Sequence, residues 1–170
     1  TKIDPSALPA KRPGVLGWPI LNKRITQGYG ATSFARSRYG YRGKWHNGID
    51  IGAPLGTPIL APADGIVISA GNQDLYCRKG AYGKYVVIKH ANNLVTLYGH
   101  LSNIATEIGA QIRREDLVGF VGNTGYSRGA HLHFTVYDGN TFSMRASSSC
   151  GAMPTGGDIN PLVYLESFSP

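Results

Sequence analysis

Charged side chains are scarce in this sequence of 170 residues, at 16% of the chain, and the 10 acidic residues are fewer than the 17 basic ones. Glycine and proline are abundant instead, with 23 and 10 residues. Helical bundles are rich in Glu, Lys and Ala, whereas short strands joined by tight turns need glycine and proline. The composition therefore argues against a helical bundle and favours a β-rich domain.

Long apolar runs are also missing. The first 15 residues contain no continuous apolar segment, so we find neither a secretory signal nor a membrane-spanning segment, and we expect any targeting peptide to lie outside this sequence. Cysteine is limited to Cys77 and Cys150, which permits at most one internal disulfide bond. The cysteine count alone does not identify the cellular compartment.

Positive charge is concentrated in the first third of the chain. The net charge is +7, and residues 1–48 hold nine lysines and arginines against a single acid, Asp4. A basic field of this kind attracts polyanions, such as nucleic acid or an anionic envelope polymer. A solvated surface explains the same charge equally well.

The sequence predicts one domain preceded by a short arm. Residues 1–14 are polar and contain three prolines, which predicts an N-terminal arm or linker before a domain at 15–170. No stretch shows a sustained helical period, apart from a possible short helical turn near 160–165. Strand-like runs rich in β-branched residues recur between turn signals, at 57–60, 65–70, 84–90, 94–98, 117–121 and 131–137. We therefore predict an antiparallel all-β domain with little helix.

Two long connections interrupt this rhythm, at 72–80 and 138–158, and each holds one of the two cysteines. A disulfide bond between Cys77 and Cys150 would join the two loops, and an extracellular setting would permit it. Two unrelated small residues are the other interpretation.

Four of the five histidines occur in chemically suggestive positions. His46 and Asp50 share one short segment that we place on a turn entering a strand. His131 and His133 alternate along a predicted strand, so that both side chains leave the same face. His100 follows the strand that is predicted to end at residue 98.

Histidine and carboxylate together are the residue types of a hydrolytic zinc site. Such a site uses three protein ligands and keeps a fourth position for water, and a set of two histidines and one aspartate has a suitable hardness for zinc. No glutamate is adjacent to any histidine, so the helical His-Glu-x-x-His arrangement is absent. If the protein is a peptidase, histidines that do not bind the metal are the natural candidates for the base.

Several stretches, in order along the chain, resemble the lysostaphin-type (LytM-like) zinc endopeptidases that cut peptidoglycan crosslinks. They lie at 25–30, 46–50, 57–67, 82–90, 97–102, 119–125 and 129–134, with a closing Asn-Pro at 160–161. The likeness covers roughly residues 15–137 and the C-terminal end. It implies an antiparallel β-sheet core with a groove walled by loops.

The resemblance also implies roles for five residues around one zinc ion. The implied ligands are His46, Asp50 and His133, and the two histidines that stay off the metal are His100 and His131. In the family, this second pair activates the attacking water and stabilises the oxyanion.

For other residues near this site, the sequence leaves more than one role or more than one candidate open. A family tyrosine near the first ligand helps to stabilise the oxyanion, and Tyr39 and Tyr41 are both close enough in sequence. The aromatic and basic segment 34–45 forms either a groove wall or an exposed loop. His90 matches a family position outside the metal set, which predicts a structural role.

We expect a monomeric enzyme of the cell exterior, secreted, periplasmic or on the envelope, that hydrolyses peptide bonds in peptidoglycan crosslinks or stems. The bond could join two glycines, or D-alanine to a diamino acid. One alternative is a non-catalytic or autoinhibited envelope module that regulates other wall hydrolases, with residues 1–14 crossing the groove. A nucleic-acid binding protein is the other, but no reader motif is present, so we expect no specific nucleic-acid partner.

Overall fold

The computed structural model describes residues 4–167, and within that range the chain is almost entirely β-structure. The helical elements there are short: α1 (Ser33–Arg36) and the 3₁₀ turns Gln73–Leu75 and Pro161–Val163. None of the helices in this range is long and apolar enough to cross a membrane. The strands are β1 (Ile25–Gln27), β2 (Ile49–Gly52), β3 (Pro58–Leu60), β4 (Gly65–Asn72), β5 (Lys84–His90), β6 (Leu94–Ile104), β7 (Gln111–Ile112), β8 (Leu117–Val121), β9 (His131–Asp138), β10 (Ser143–Ser147), β11 (Gly151–Thr155) and β12 (Asp158–Ile159).

Ten of the strands described form one antiparallel sheet. Its main path runs β1-β2-β9-β6-β5-β4-β7, with β12 paired to β9 and the β3–β8 pair attached to β6. The prediction of an antiparallel all-β domain with little helix is therefore confirmed, and each of the six predicted strands matches an observed one. The predicted helical turn near 160–165 is the 3₁₀ turn at Pro161–Val163.

Strand β6 is longer than predicted, and the extra length shapes the site. It continues beyond residue 98 to Ile104. It pairs with β9 as far as Gly99 and with β8 from Leu101 onward. Between these two pairings, His100 has a φ of 64°, a left-handed conformation that is costly for a residue with a Cβ atom. The strand thus changes partners at a residue for which the family resemblance implies a catalytic role.

Both faces of the central strands are covered by apolar side chains. The larger cluster includes Tyr98 and Phe134 and extends to Leu16 and Tyr164 near the two ends of the chain. A smaller cluster forms on the alternate positions of β5, β6 and β9. Burial on both faces explains why these strands appear in the sequence as nearly continuous apolar runs.

The described part of the predicted arm, residues 4–14, packs against the domain. Asn93 Nδ2 donates a hydrogen bond to the Pro5 carbonyl (2.7 Å), and the Tyr164 hydroxyl donates one to the Pro9 carbonyl (3.0 Å). Residues 1–3 of the arm lie outside the described range. The division of the chain at residue 15 stays a prediction.

The two cysteines form a disulfide bond. Cys77 and Cys150 are linked, with their Cα atoms 4.8 Å apart, so the first of the two interpretations is correct. The connection 138–158 is not a plain loop as predicted, because β10 and β11 pair there as an antiparallel hairpin. Its alanine, glycine and proline residues have little β propensity, which explains why the sequence pattern missed both strands.

Candidate metal centre and groove

Strand register brings the three predicted ligand residues together. Asp50 on β2 lies opposite His133 on β9. His46 lies four residues before Asp50, across a turn in which Gly48 approaches β9 so closely that a Cβ atom would lie 2.2 Å from the Phe134 carbonyl oxygen. The distances between the inner atoms are 3.2 Å (His46 Nε2 to Asp50 Oδ1), 3.1 Å (His46 Nε2 to His133 Nδ1) and 3.0 Å (His133 Nδ1 to Asp50 Oδ1).

Hydrogen bonds on the outer side of this group select which histidine nitrogens face inward. His46 Nδ1 donates to the Gly28 carbonyl (2.7 Å), and His133 Nε2 donates to the Thr135 hydroxyl (2.7 Å). The inner nitrogens then carry lone pairs and, with the carboxylate of Asp50, three acceptor atoms face one another. Because acceptors repel at such distances unless a cation lies between them, this group could hold a metal ion.

The protonation states of the buried group also suit a metal. Burial opposes ionisation of Asp50, but protons on the facing nitrogens of His133 and His46 outweigh burial and hold the pKa of the carboxyl well below its usual range. In the tautomers that the outer hydrogen bonds favour, a bound cation would take the place of these protons. Burial lowers the pKa of His133, although the nearby carboxylate acts in the opposite direction. An ionised carboxylate and a neutral imidazole are the forms that bind metals.

Two further histidines lie beside this group without joining it. The rings of His100 and His131 have their centres 4.8 Å apart. His100 Nδ1 donates to the Thr124 carbonyl (2.7 Å), and His131 Nδ1 donates to the Gly129 carbonyl (2.8 Å), which leaves the lone pair of each ring on Nε2. Burial and the neighbouring histidines lower the pKa of His100 to about 3, so its Nε2 is unprotonated at neutral pH.

The structure places Tyr41, rather than Tyr39, at the centre. The Tyr41 ring stacks on His46 at 5.5 Å, and its hydroxyl donates to Gln27 Oε1 (3.2 Å). Burial raises the pKa of Tyr41 above its usual range, so the phenol stays protonated. Tyr39 is 58% exposed, and its ring contacts the guanidinium of Arg128 instead.

Sequence reasoning missed the residues that support the histidines from behind. Thr135 continues the alternation of positions 131 and 133 on β9, so its place on the same strand face could have been predicted. Asn47 Nδ2 donates to the Tyr82 hydroxyl (2.8 Å), and the Tyr82 ring lies 5.4 Å from that of His133. The Tyr82 carbonyl also accepts the backbone N–H of His100 (2.7 Å). Tyr82 begins the resembling stretch 82–90, but nothing in the sequence assigned it a role at the site.

Three adjoining cavities, of about 270, 430 and 410 Å³, form a groove over these residues, and all three are lined by Tyr41 and Tyr126. The first contains His46, His100 and His133, while the second contains Asp50 and His131. Segment 34–45 contributes residues to each cavity, so it is a groove wall. Any extended ligand in this groove would cross the candidate metal centre.

His90 lies outside the groove. Its Nδ1 contacts the Asp64 carbonyl (2.7 Å), and its Nε2 contacts the Thr96 hydroxyl (2.8 Å). The residue is 3% exposed, and burial lowers its pKa. Both ring nitrogens are thus occupied within the protein, in agreement with the predicted structural role.

Comparison with known proteins gives concordant matches. The model of Peptidase family M23 matches residues 44–144. The DD-carboxypeptidase/endopeptidase Mpg of Neisseria meningitidis is 45% identical over 105 residues, which are 58% of this chain and 23% of that protein. A zinc-containing peptidase from Vibrio cholerae is 30% identical with a TM-score of 0.62, over 72% of this chain and 36% of that one. The catalytic domain of lysostaphin from Staphylococcus simulans shares the fold, with a TM-score of 0.61 and 24% identity, over 82% of this chain and 89% of that one. The chain thus spans less than a quarter of the length of the Neisseria protein.

Proposed function

The chain belongs to peptidase family M23, which confirms its resemblance to the lysostaphin-type peptidases of peptidoglycan, and we propose that it is a zinc-dependent endopeptidase. The bonds hydrolysed would be peptide bonds in peptidoglycan crosslinks or stems. One observation carries the proposal: the inner atoms of His46, Asp50 and His133 lie 3.0–3.2 Å apart, beside the Nε2 atoms of two more histidines.

The donor set fits zinc. Two atoms that each lie about 2.05 Å from a zinc ion, at the tetrahedral angle, are about 3.3 Å apart, close to the distances between His46, Asp50 and His133. Two imidazole nitrogens and a carboxylate oxygen also match the borderline softness of the ion. When bound by these residues, zinc would supply Lewis acidity that polarises the scissile carbonyl and makes water acidic near neutral pH.

The groove residues outside the ligand set would transfer protons and stabilise the negative charge that develops on the carbonyl oxygen. The Nδ1 atoms of His100 and His131 are bound to backbone carbonyls, which leaves Nε2 as the nitrogen of each ring that can take part in proton transfer, and this pair can accept the proton of the attacking water. The protonated hydroxyl of Tyr41 would exchange its hydrogen bond to Gln27 Oε1 for one to the carbonyl oxygen as that oxygen becomes negative. We assign proton transfer and oxyanion stabilisation to these three side chains together.

The charge of the groove supports an acidic peptide substrate. Arg38 and Arg42 line the third cavity, and Arg128 lines the second. Stem peptides with free carboxylates would be attracted to this surface, whereas a glycine bridge would gain little. Because the Neisseria relative is named a DD-carboxypeptidase/endopeptidase, we favour a bond between D-alanine and a diamino acid.

The disulfide bond supports a location outside the cytoplasm. Bonds of this kind persist in oxidising compartments, and the substrate lies there too. We therefore propose a periplasmic, envelope-exterior or secreted enzyme, acting as a monomer, with peptidoglycan rather than nucleic acid as its partner.

The regulatory alternative has less support. Both histidines outside the ligand set are present, together with all three residues that could hold the metal. The described part of the arm, residues 4–14, contacts Asn93 and Tyr164, and neither residue lines the groove. In this structure that part of the chain therefore does not cover the site.

The test is mass spectrometry of fragments released from purified peptidoglycan, with and without a zinc chelator. We expect release of peptides with one defined pair of new ends, loss of release with chelator, and recovery when zinc is restored. A His100→Ala/His131→Ala variant should keep zinc and release almost nothing. Absence of release by folded, zinc-loaded protein would contradict the proposal, as would release that persists in metal-free protein.

A further inference from the structure

The first cavity of the groove differs from its neighbours in charge. None of the described residues that line it is Lys, Arg, Asp or Glu, whereas each neighbouring cavity carries arginine. Beyond the candidate metal centre, its lining residues include Trp45, Met153 and Ala81. An uncharged lining of this kind, next to the reacting centre, suits an aliphatic side chain rather than a charged one.

Trp45 is held in place although it is exposed. Its side chain is 46% exposed, yet its Nε1 donates to Asp158 Oδ2 (3.0 Å) and its ring meets the edge of Tyr29 at 5.4 Å. Tyr29 donates to the same carboxylate oxygen (2.5 Å). An aromatic side chain fixed in this way offers apolar surface and loses little conformational freedom when a ligand binds.

Met153 is fixed by a buried amide. Gln73 is 2% exposed, and its Nε2 donates to Met153 Sδ (3.2 Å) and to the Ala152 carbonyl (2.9 Å). The Oε1 atom of Gln73 accepts the backbone N–H of Tyr82 (2.9 Å). One side chain thus ties the β10–β11 hairpin to Tyr82, the residue whose carbonyl holds the backbone of His100.

The disulfide bond secures the same hairpin. Strands β10 and β11 pair only with each other among the strands described, and a hairpin with no further partner strand is marginally stable. The Cys77–Cys150 bond attaches its turn to the connection at 72–80. Gly151 packs against Tyr76 beside it, where a Cβ atom would lie 2.9 Å from the ring. The position of Met153 therefore depends on contacts with this connection.

We propose that Trp45 and Met153 form a subsite for one small aliphatic side chain that flanks the scissile bond, with the disulfide-linked hairpin as the wall that sets the preference. The proposal rests on the peptidase function and selects D-alanine over glycine at this position. One added carbon in an apolar enzyme pocket is worth about tenfold or more in kcat/KM. We expect a preference of about tenfold here.

The experiment compares two crosslinked stem peptides that differ in one residue, D-alanine or glycine, on the N-terminal side of the scissile bond. The wild-type protein should hydrolyse the D-alanine peptide with the higher kcat/KM. Met153→Ala should remove most of this preference, and Met153→Leu should keep it. Arg145→Ala, an exposed position on the same hairpin that lines none of the three cavities, is the matched control and should keep the preference as well.

A second variant tests the role of the disulfide. In Cys77→Ala/Cys150→Ala, the preference should fall as in Met153→Ala while bound zinc, measured by metal analysis, stays stoichiometric. The double variant is better than a thiol reductant because thiolates bind zinc. If it does not fold, the Met153 variants still decide the proposal.

A binding measurement separates this proposal from the peptidase function. The same two peptides are titrated into zinc-free wild-type and Met153→Ala protein by calorimetry. The subsite is supported if the D-alanine peptide binds more tightly than the glycine peptide to the wild-type protein but not to Met153→Ala. This holds even if no hydrolysis occurs, and in that case only the peptidase function would have failed. Equal binding of both peptides to the wild-type protein, or a preference unchanged by Met153→Ala in both assays, would overturn the subsite.

Discussion

Thr135→Val should weaken zinc binding although Thr135 does not touch the metal site directly. Thr135 is fully buried, and its hydroxyl accepts the Nε2–H of His133 at 2.7 Å. Valine has nearly the same shape but no acceptor, so the buried N–H of His133 would have no partner, a loss of about 1–3 kcal/mol. Outer partners of a ligating histidine are worth about 10- to 100-fold in metal affinity. We therefore expect zinc affinity to fall by about 10- to 100-fold, or about 1.4–2.7 kcal/mol.

The assay is competition for zinc between the protein and a chromogenic chelator, with circular dichroism to confirm that each variant is folded. Thr135→Ser is the matched control, since it keeps the hydroxyl and should bind zinc nearly as well as the wild type. If folded Thr135→Val binds zinc as tightly as the wild-type protein, the reasoning is refuted. That result would mean that the Thr135 hydroxyl does not orient His133, or that His133 is not a ligand.

Three further outcomes are expected. His133→Ala should lose zinc and activity together, whereas His131→Ala should keep zinc and lose most turnover, as measured by metal analysis and peptide release; the reverse pattern would invert the ligand assignment. Cys77→Ala/Cys150→Ala should lower the free energy of unfolding by about 4 kcal/mol, because the bond closes a loop with a sequence separation of 73, and an unchanged midpoint in denaturant titrations would contradict this. Burial lowers the pKa of His90 below the value of about 6.5 in the unfolded chain, so the unfolded state takes up the extra proton and stability falls as the pH drops below about 6.5. His90→Gln should reduce that fall in urea titrations between about pH 7 and pH 5, and equal slopes for variant and wild type would show that His90 does not contribute.

Much of the fold could be predicted because its central strands are buried on both faces and are therefore nearly continuous runs of apolar, often β-branched residues. The β10–β11 hairpin could not, because its stability comes from residues far away in sequence. Gln73 and Cys77 hold it from a different part of the chain, and no local pattern contains that information. The same reason applies to the extension of β6, which depends on the left-handed backbone of His100 and on its change of partner strand.

The sequence could predict which residues form the candidate site, but not how their side chains are oriented. Motif resemblance named the histidines and Asp50, and the structure brings them together. It could not choose between Tyr39 and Tyr41, because that choice depends on which ring stacks on His46. Nor could it tell which nitrogen of each histidine faces inward, since this depends on how each ring is turned toward its hydroxyl or backbone carbonyl partner.

Those outer partners also separate functional histidines from structural ones in this protein. His90 is bound at one ring nitrogen by a backbone carbonyl and at the other by a threonine hydroxyl, so neither nitrogen faces a carboxylate or another histidine. Each of the four groove histidines has one nitrogen bound to a carbonyl or hydroxyl oxygen and presents the other toward the centre, as His46 does with Gly28 and His100 with Thr124. In neutral imidazole a bound N–H fixes the lone pair on the opposite nitrogen. The fold therefore sets the direction of the lone pair of every neutral groove histidine without a ligand, and this is the preorganisation that the proposed hydrolysis at a metal centre would require.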